Sequence, residues 1–369
     1  MSMSRIQQVW PHLPVSTTAE PPPEYARLLE HFDNACEREA IANSASRVAP
    51  RNVDDVLDLI SRLRLSELGM SHMAELTRHA LVEELKQSPY PRWDNSDEQR
   101  ILNALCLSLS LRLTLDIVPV EQPGPGTRKV EWEDTATIST LISRTFPQLS
   151  EHQTSNLGHA DPRLTLEYLE SYHGYEVCFT DNLAKHLDIV AAADCTILLI
   201  YKHKIFLRNE LNHTSTSLLP QRLLEETLDT LNLLLPFNDA HTLKFLKKYN
   251  MVDLNGLGLC GRRLECVNDL TLYRYWGIKL ARLSAVVADG PTGLRQLKPG
   301  RGSGANLREF ANFWIMAVVL AALTVGFGTA SVVLAVLQYN LSLWQYEVAV
   351  EQACAEHPDK GWRFCTRQA

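Results

Sequence analysis

Apolar residues recur at helical spacing through most of the first 300 positions, and that period sets the first set of expected elements. A helix opens near Glu24, with Tyr25, Leu28 and Leu29 on one side. Val53, Val56, Leu57, Ile60 and Leu63 form a clearer stripe, with Asn52 placed to cap it and Gly69 to stop it. SHMAELTRHALVEEL continues as a second helix and ends before the turn-rich SPYPRWDNS. Ser96 is placed to cap a helix entering at Asp97 and running to about residue 112. Leu107, Leu109, Leu111, Leu113 and Leu115 alternate with the period of a strand, so the stretch after 112 stays open between helix and strand. EQPGPGTRK is a break, and DTATISTLISRTF from 134 is a helix with Ile138, Leu141, Ile142 and Phe146 on one stripe before Pro147.

Between 160 and 210 the texture changes. A short helix around LTLEYLESY precedes the apolar run YEVCFT, a helical NLAKHLDIV and a second run, CTILLIYKH. Two short apolar runs separated by polar turns predict a two- or three-stranded sheet near 175–203 within a mainly α domain. Helices over Leu218–Leu235 and Ala240–Lys248 follow, the first carrying Glu225 and Glu226. NGLGLCG at 255 reads as a loop, without the Gly-Lys-Ser/Thr ending of a phosphate loop. In YRYWGIKLARLSAVV, Tyr273, Trp276, Leu280 and Leu283 share one helical side, and packing on the core is favoured over lying along a lipid leaflet.

The last 60 residues break this alternation. ANFWIMAVVLAALTVGFGTASVVLAVLQ carries no charge over residues 311–338, which makes about 42 Å of helix against a hydrocarbon core of about 30 Å. One tilted crossing fits and two do not. Phe310, Phe313 and Trp314 on one flank, and Tyr339, Trp344 and Tyr346 on the other, suit the headgroup layer. The division predicted is a flexible leader 1–23, a soluble mostly helical domain 24–300, a juxtamembrane linker 301–310, a single transmembrane helix 311–338 and a short extracytosolic tail 339–369. Lys279, Arg282, Arg295, Lys298, Arg301 and Arg308 precede the span while Glu347 and Glu351 are the first charges after it, which places the N-terminal domain in the cytosol.

Charge and cysteine usage refine this picture. A net charge of -7, with no basic stripe interleaved with aromatics, excludes nucleic acid as a partner recognised through the overall field. Proline breaks at 11, 14 and 21–23 leave no signal peptide in the first residues. Six of the eight cysteines lie before the span without CxxC spacing, as buried thiols do. Cys354 and Cys365 lie beyond it, in the oxidising space that the orientation predicts, and are close enough in sequence for a loop disulfide. Asn212-His213-Thr214 is then a cytosolic and unused sequon.

Candidate chemistry is sparse. Asp181 and Asn182 stand between a strand and a helix, where capping explains them without a ligand. His186 lies one turn further on and His203 ends the next strand, so the two can meet at one end of the sheet. With Asp181 and His173 they would supply N and O ligands for a divalent metal, or an acid/base pair. His72, Glu75 and His79 share a helical face, read as solvated because no HExxH spacing is present. Nothing in the sequence calls for a cofactor. In the span, Ala322, Gly326 and Ala330 repeat at four-residue spacing and form a face along which two copies can pack.

From about residue 130 to 340 the chain resembles a group of uncharacterised membrane-anchored proteins of filamentous ascomycete fungi. The stretches carrying the resemblance are WEDTATISTLISRTFP, FTDNLAKHLDI, ILLIYKHKIFL, DLTLYRYWGIKLARL and the span itself. Thr180, Asp181, Asn182, Leu183, His186 and Leu187 fit that group's TDNL-two-residues-HL pattern. Where the group has Phe-His-His, this chain has Tyr201, Lys202 and His203. The resemblance implies a cytosolic, mostly helical domain with a C-terminal anchor, and no reaction. The leading functional expectation is a membrane-tethered interaction or structural module, with the bilayer, a cytosolic protein and a second copy as partners. The alternative is a membrane-bound, metal-assisted hydrolase using His186, His203 and Asp181.

Overall fold

A computed structural model describes residues 25–42, 75–87, 98–119, 129–193, 195–212, 217–257, 267–290 and 304–356. The chain divides into two compact units, Met1–Gln296 and Leu297–Ala369. Several expectations fall outside the described residues: the leader 1–23, the 53–63 helix with Asn52 and Gly69, the cap at Ser96, the His72 member of the polar helical face, the sequon threonine and Cys365.

The first unit is mainly helical, as the apolar period requires. Helix α1 (Ala26–Ala42) buries Tyr25, Leu28 and Phe32 against α3 (Glu98–Leu113), which also packs on α2 (Arg78–Lys86). Thr77 caps α2 by accepting from the Ala80 N–H. The leucine run that pointed both ways resolves as helix to Leu113, after which Thr114 turns left-handed at φ 52°. Strand β1 (Ile117–Pro119) then pairs in parallel with β2 (Val130–Trp132), a two-stranded sheet that the sequence pattern did not reveal because each strand is three residues long. Helices α4 (Ile138–Thr145) and α5 (Glu151–Ser155) follow, capped by Thr137 and by a Ser150/Gln153 capping box.

A single α turn, α6 (Leu166–Tyr168), widens into a π turn over Leu169–His173 and stops at Gly174, φ 76°. The expected sheet follows, in the order β3-β5-β4: β3 (Tyr175–Thr180) runs parallel to β5 (Thr196–Tyr201), and β4 (Ile189–Ala191) runs antiparallel to it. The segment expected as helical, NLAKHLDIV, is corrected here. Only Leu183–Lys185 form a 3-10 turn, Leu187 adopts φ 61°, and β-branched Ile189 and Val190 pair with Leu198 and Ile197. A left-handed leucine ends any helix, and β-branched side chains favour the pleat.

Helix α7 (Lys204–Asn212) packs on α8 (Gln221–Leu234), whose Leu223, Leu224, Leu228, Leu231 and Leu234 lie in the centre of the core. Each such fully buried leucine contributes about 1.5–3 kcal/mol. Helix α9 (Ala240–Lys248) is capped by Asp239, and α10 (Asp253–Gly256) occupies part of the stretch expected as a loop. The helix expected from Tyr273 begins later, as α11 (Gly277–Ala288). Its delay has a cause in α8: the buried Glu226 carboxylate accepts the N–H groups of Arg274 and Tyr275, both at 2.7 Å, which keeps these residues out of a helical turn. Leu280, Leu283 and Val287 are buried, so α11 packs on the core as expected.

The second unit contains one helix, α12 (Gly304–Glu356), 53 residues long. It starts inside the expected linker and continues through the span well into the expected tail. Polar residues such as Gln338, Asn340 and Gln345 do not interrupt it, since none is a strong helix breaker.

Candidate functional site

Parallel pairing brings the site together. Thr180 at the end of β3 lies opposite Tyr201 at the end of β5, and the Lys202 N–H donates to the Thr180 carbonyl at 3.1 Å. Asp181 and the pair Lys202–His203 therefore leave the sheet side by side at the carboxyl ends of its strands, the end where open sheets commonly present ligands. The turn after Asp181 is held independently. Asn182 accepts from the Ala184 N–H and donates to Asp116 at 2.8 Å, while the Leu183 N–H donates to the Thr114 carbonyl at 2.9 Å. Asn182 thus has the capping role read from the sequence, and Asp181 is left for other work.

One carboxylate oxygen, Asp181 Oδ1, faces three groups: His203 Nε2 at 2.7 Å, Lys202 Nζ at 2.9 Å and His31 Nδ1 at 3.4 Å. His31 comes from α1, and its ring centroid lies 5.2 Å from that of His203. Arg27, one turn earlier on α1, binds Asp253 at 2.8 Å and the Asn250 carbonyl, which fixes the helix beside the sheet end. Burial alone would raise the Asp181 carboxyl. The hydrogen bond from His203, the nearby His31 and the Lys202 ammonium outweigh it and hold the carboxyl below the usual carboxylate range. Burial lowers His203 despite its carboxylate partner, so its ring is neutral at pH 7 and donates Nε2–H to Asp181.

His186 does not join this group. Its Nδ1 accepts the Tyr201 N–H at 3.2 Å and its Nε2 donates to the Thr230 hydroxyl at 2.7 Å, which in turn donates to the Thr227 carbonyl at 2.6 Å. The ring stands edge-on to Trp276 at 5.0 Å and is completely buried. Burial, with Lys279 nearby, pushes it well below the ordinary histidine value. Lys279 itself is engaged by the His186 carbonyl at 2.8 Å and Asp188 at 2.8 Å. His173 lies in the π turn with its ring 5.5 Å from Tyr168, also apart from the group. Among the described residues, the three side chains whose ligand atoms lie within 4.8 Å of one another are His31, Asp181 and His203. Sequence reasoning found two of them and missed His31, whose one signal was its place beside the buried Leu28 and Phe32 on α1.

On α12 the apolar stretch is exposed along its length, with no cover among the described residues. Gly326, between Ala322 and Ala330, has open space where a Cβ would point, and nothing in the structure shows what packs on that face. Cys354 is disulfide-bonded, with a partner outside the residues whose side chains are described. Comparison with protein-family models, curated proteins and solved structures finds no match to this chain.

Proposed function

We propose that this chain is a single-pass membrane protein whose N-terminal unit is held at the cytosolic face of a bilayer as an interaction or structural module. The observation that carries it is the uncovered apolar helix. Phe313, Met316, Leu320, Val325, Phe327, Val332 and Leu337 are all exposed, a continuous apolar surface far larger than soluble proteins leave in water. Basic residues at 295, 298, 301 and 308 against Glu347 and Glu351 support the orientation. A disulfide at Cys354 suits an oxidising compartment on the far side, with Cys365 as its proposed partner.

The hydrolase alternative required His186 beside His203 and Asp181. Its support weakens because both ring nitrogens of His186 are already engaged by Tyr201 and Thr230.

Two measurements test the proposal. The full chain should stay with the membrane pellet through alkaline carbonate extraction, and protease added to sealed vesicles should digest the N-terminal unit while sparing a C-terminal tag. Release by carbonate would remove the membrane assignment, and the reverse protection pattern would invert the topology.

A further inference from the structure

We propose that His31, Asp181 and His203 form a site for a divalent transition-metal ion of the zinc type, with Lys202 standing in for the ion while it is absent. Imidazole nitrogen and carboxylate oxygen are ligands that zinc takes, at about 2.0–2.2 Å, which in a tetrahedral site spaces ligand atoms about 3.3–3.6 Å apart. The His31 Nδ1 to Asp181 Oδ1 separation is already 3.4 Å. The His203 Nε2 to Asp181 Oδ1 separation of 2.7 Å has to open by about 0.6–0.9 Å to reach that tetrahedral spacing, and the Nε2 proton has to move to Nδ1 so that the Nε2 lone pair faces the ion. The separations within the group do not exceed 4.8 Å, so the two rings need to close by no more than a rotamer adjustment.

Three features favour an ion over a self-sufficient polar cluster. The ligands come from three separate parts of the chain, α1, the turn after β3 and the segment after β5, each fixed by contacts of its own. Arg27 fixes α1, Asn182 fixes the turn, and the β3–β5 ladder fixes His203. Donors and cations also crowd onto one oxygen: the contacts from His31, Lys202 and His203 all go to Oδ1. A single positive centre among these ligands would satisfy that oxygen with the Lys202 ammonium free to swing away on its flexible stem. Finally, Asp181 retains 30% side-chain exposure, which gives an ion a path from solvent. Three protein ligands leave a fourth position for water or an incoming donor atom.

The test uses the full chain in detergent, stripped with chelator and titrated with Co²⁺, whose visible absorption reports few-coordinate nitrogen and oxygen ligation. One equivalent should bind with intense visible bands, be displaced by Zn²⁺, and raise the thermal midpoint, since an ion that binds only the folded chain stabilises it by mass action. Loss of an outer-shell partner typically costs about 10–100-fold in metal affinity, so His31→Ala, which removes a direct ligand, and Asp181→Asn, which removes the anionic charge of another, should cost at least about 100-fold. His31→Gln serves where the alanine variant lowers stability. Lys202→Gln removes the competing cation and should tighten binding several-fold, an effect that a purely structural ion-pair cluster does not produce. Absence of the visible bands overturns the site, as does binding of equal strength in wild type, His31→Gln and Asp181→Asn. Unchanged or weaker binding in Lys202→Gln overturns the stand-in role of the lysine.

Discussion

His186 and His203 flank the same small sheet, both lie almost wholly out of water, and both are lowered by burial, yet their surroundings give them different work. His186 meets neutral partners on each ring nitrogen. The Tyr201 amide and the Thr230 hydroxyl fix its tautomer and tie β5 to α8, and Trp276 closes the ring's edge. His203 meets a carboxylate that also takes a lysine and a second histidine, at a place where that carboxylate still touches solvent. A histidine saturated by neutral groups holds elements together. One that shares an ionised oxygen with a lysine and a second histidine keeps a choice of partner, and a choice of partner is what a binding site needs.

The strongest way to break this comparison is to remove the inner ring. His186→Ala strands the Tyr201 N–H in a dry core and leaves a cavity beside Trp276, and should lower unfolding free energy by about 3–5 kcal/mol. Denaturant unfolding of the full chain in detergent measures it, and a loss below that of any rim substitution would reverse the ranking.

A pH series sharpens the same point. Well above pH 6.5 the His186 ring is uncharged in folded and unfolded chains alike and contributes no slope. Below that value the unfolded chain takes up a proton that the fold refuses, because the folded value is depressed, so stability is lost as pH falls. The slope from one such group approaches about 1.4 kcal/mol per pH unit. Replacing the ring with His186→Gln should flatten the slope between pH 6.5 and 5 even though it lowers the absolute stability. An unaltered slope would mean that other groups carry the acid sensitivity.

The smallest expected effect is at the rim. With chelator present, Asp181→Asn loses the Lys202 ion pair but keeps a group that can accept from His203. Because the pair is partly solvated, the cost should be about 1 kcal/mol or less. A loss as large as that of His186→Ala would show that the rim cluster is a structural clamp and would dissolve the contrast.

How much of this was legible beforehand follows from the range of each interaction. Strands β3 and β5, the cap at Asn182 and the long apolar helix are local patterns, and each was readable from neighbouring residues. Strand β4 was hidden because Leu187 takes a left-handed backbone that no sequence period announces, so Ile189 and Val190 looked like the end of a helix. His31 was hidden for another reason. Its partner is Asp181, distant in the chain, and only the docking of α1 through Arg27 and Asp253 brings the two within reach. The same range separates His186 from His203: spacing suggested convergence, whereas Thr230 on α8 and Asp181 at the sheet end draw the two rings to different partners.

The unbroken course of α12 has a mechanical consequence. If α12 spans a bilayer as proposed, its uncharged run, residues 311–338, at about 42 Å exceeds a hydrocarbon layer of about 30 Å, so the helix would tilt to hide its length, and tilt less where the membrane is thicker. Because residues 339–356 continue the same helix, they form a lever about 27 Å long that turns with the span. On passing to a thicker membrane, the disulfide-bonded Cys354 near the lever's end would rise from the surface and draw in towards the bilayer normal through the span. Bilayer thickness would thereby be converted into the height of a small cross-linked tip, a readout that a spin label at the exposed Glu351 could follow across lipids of increasing chain length.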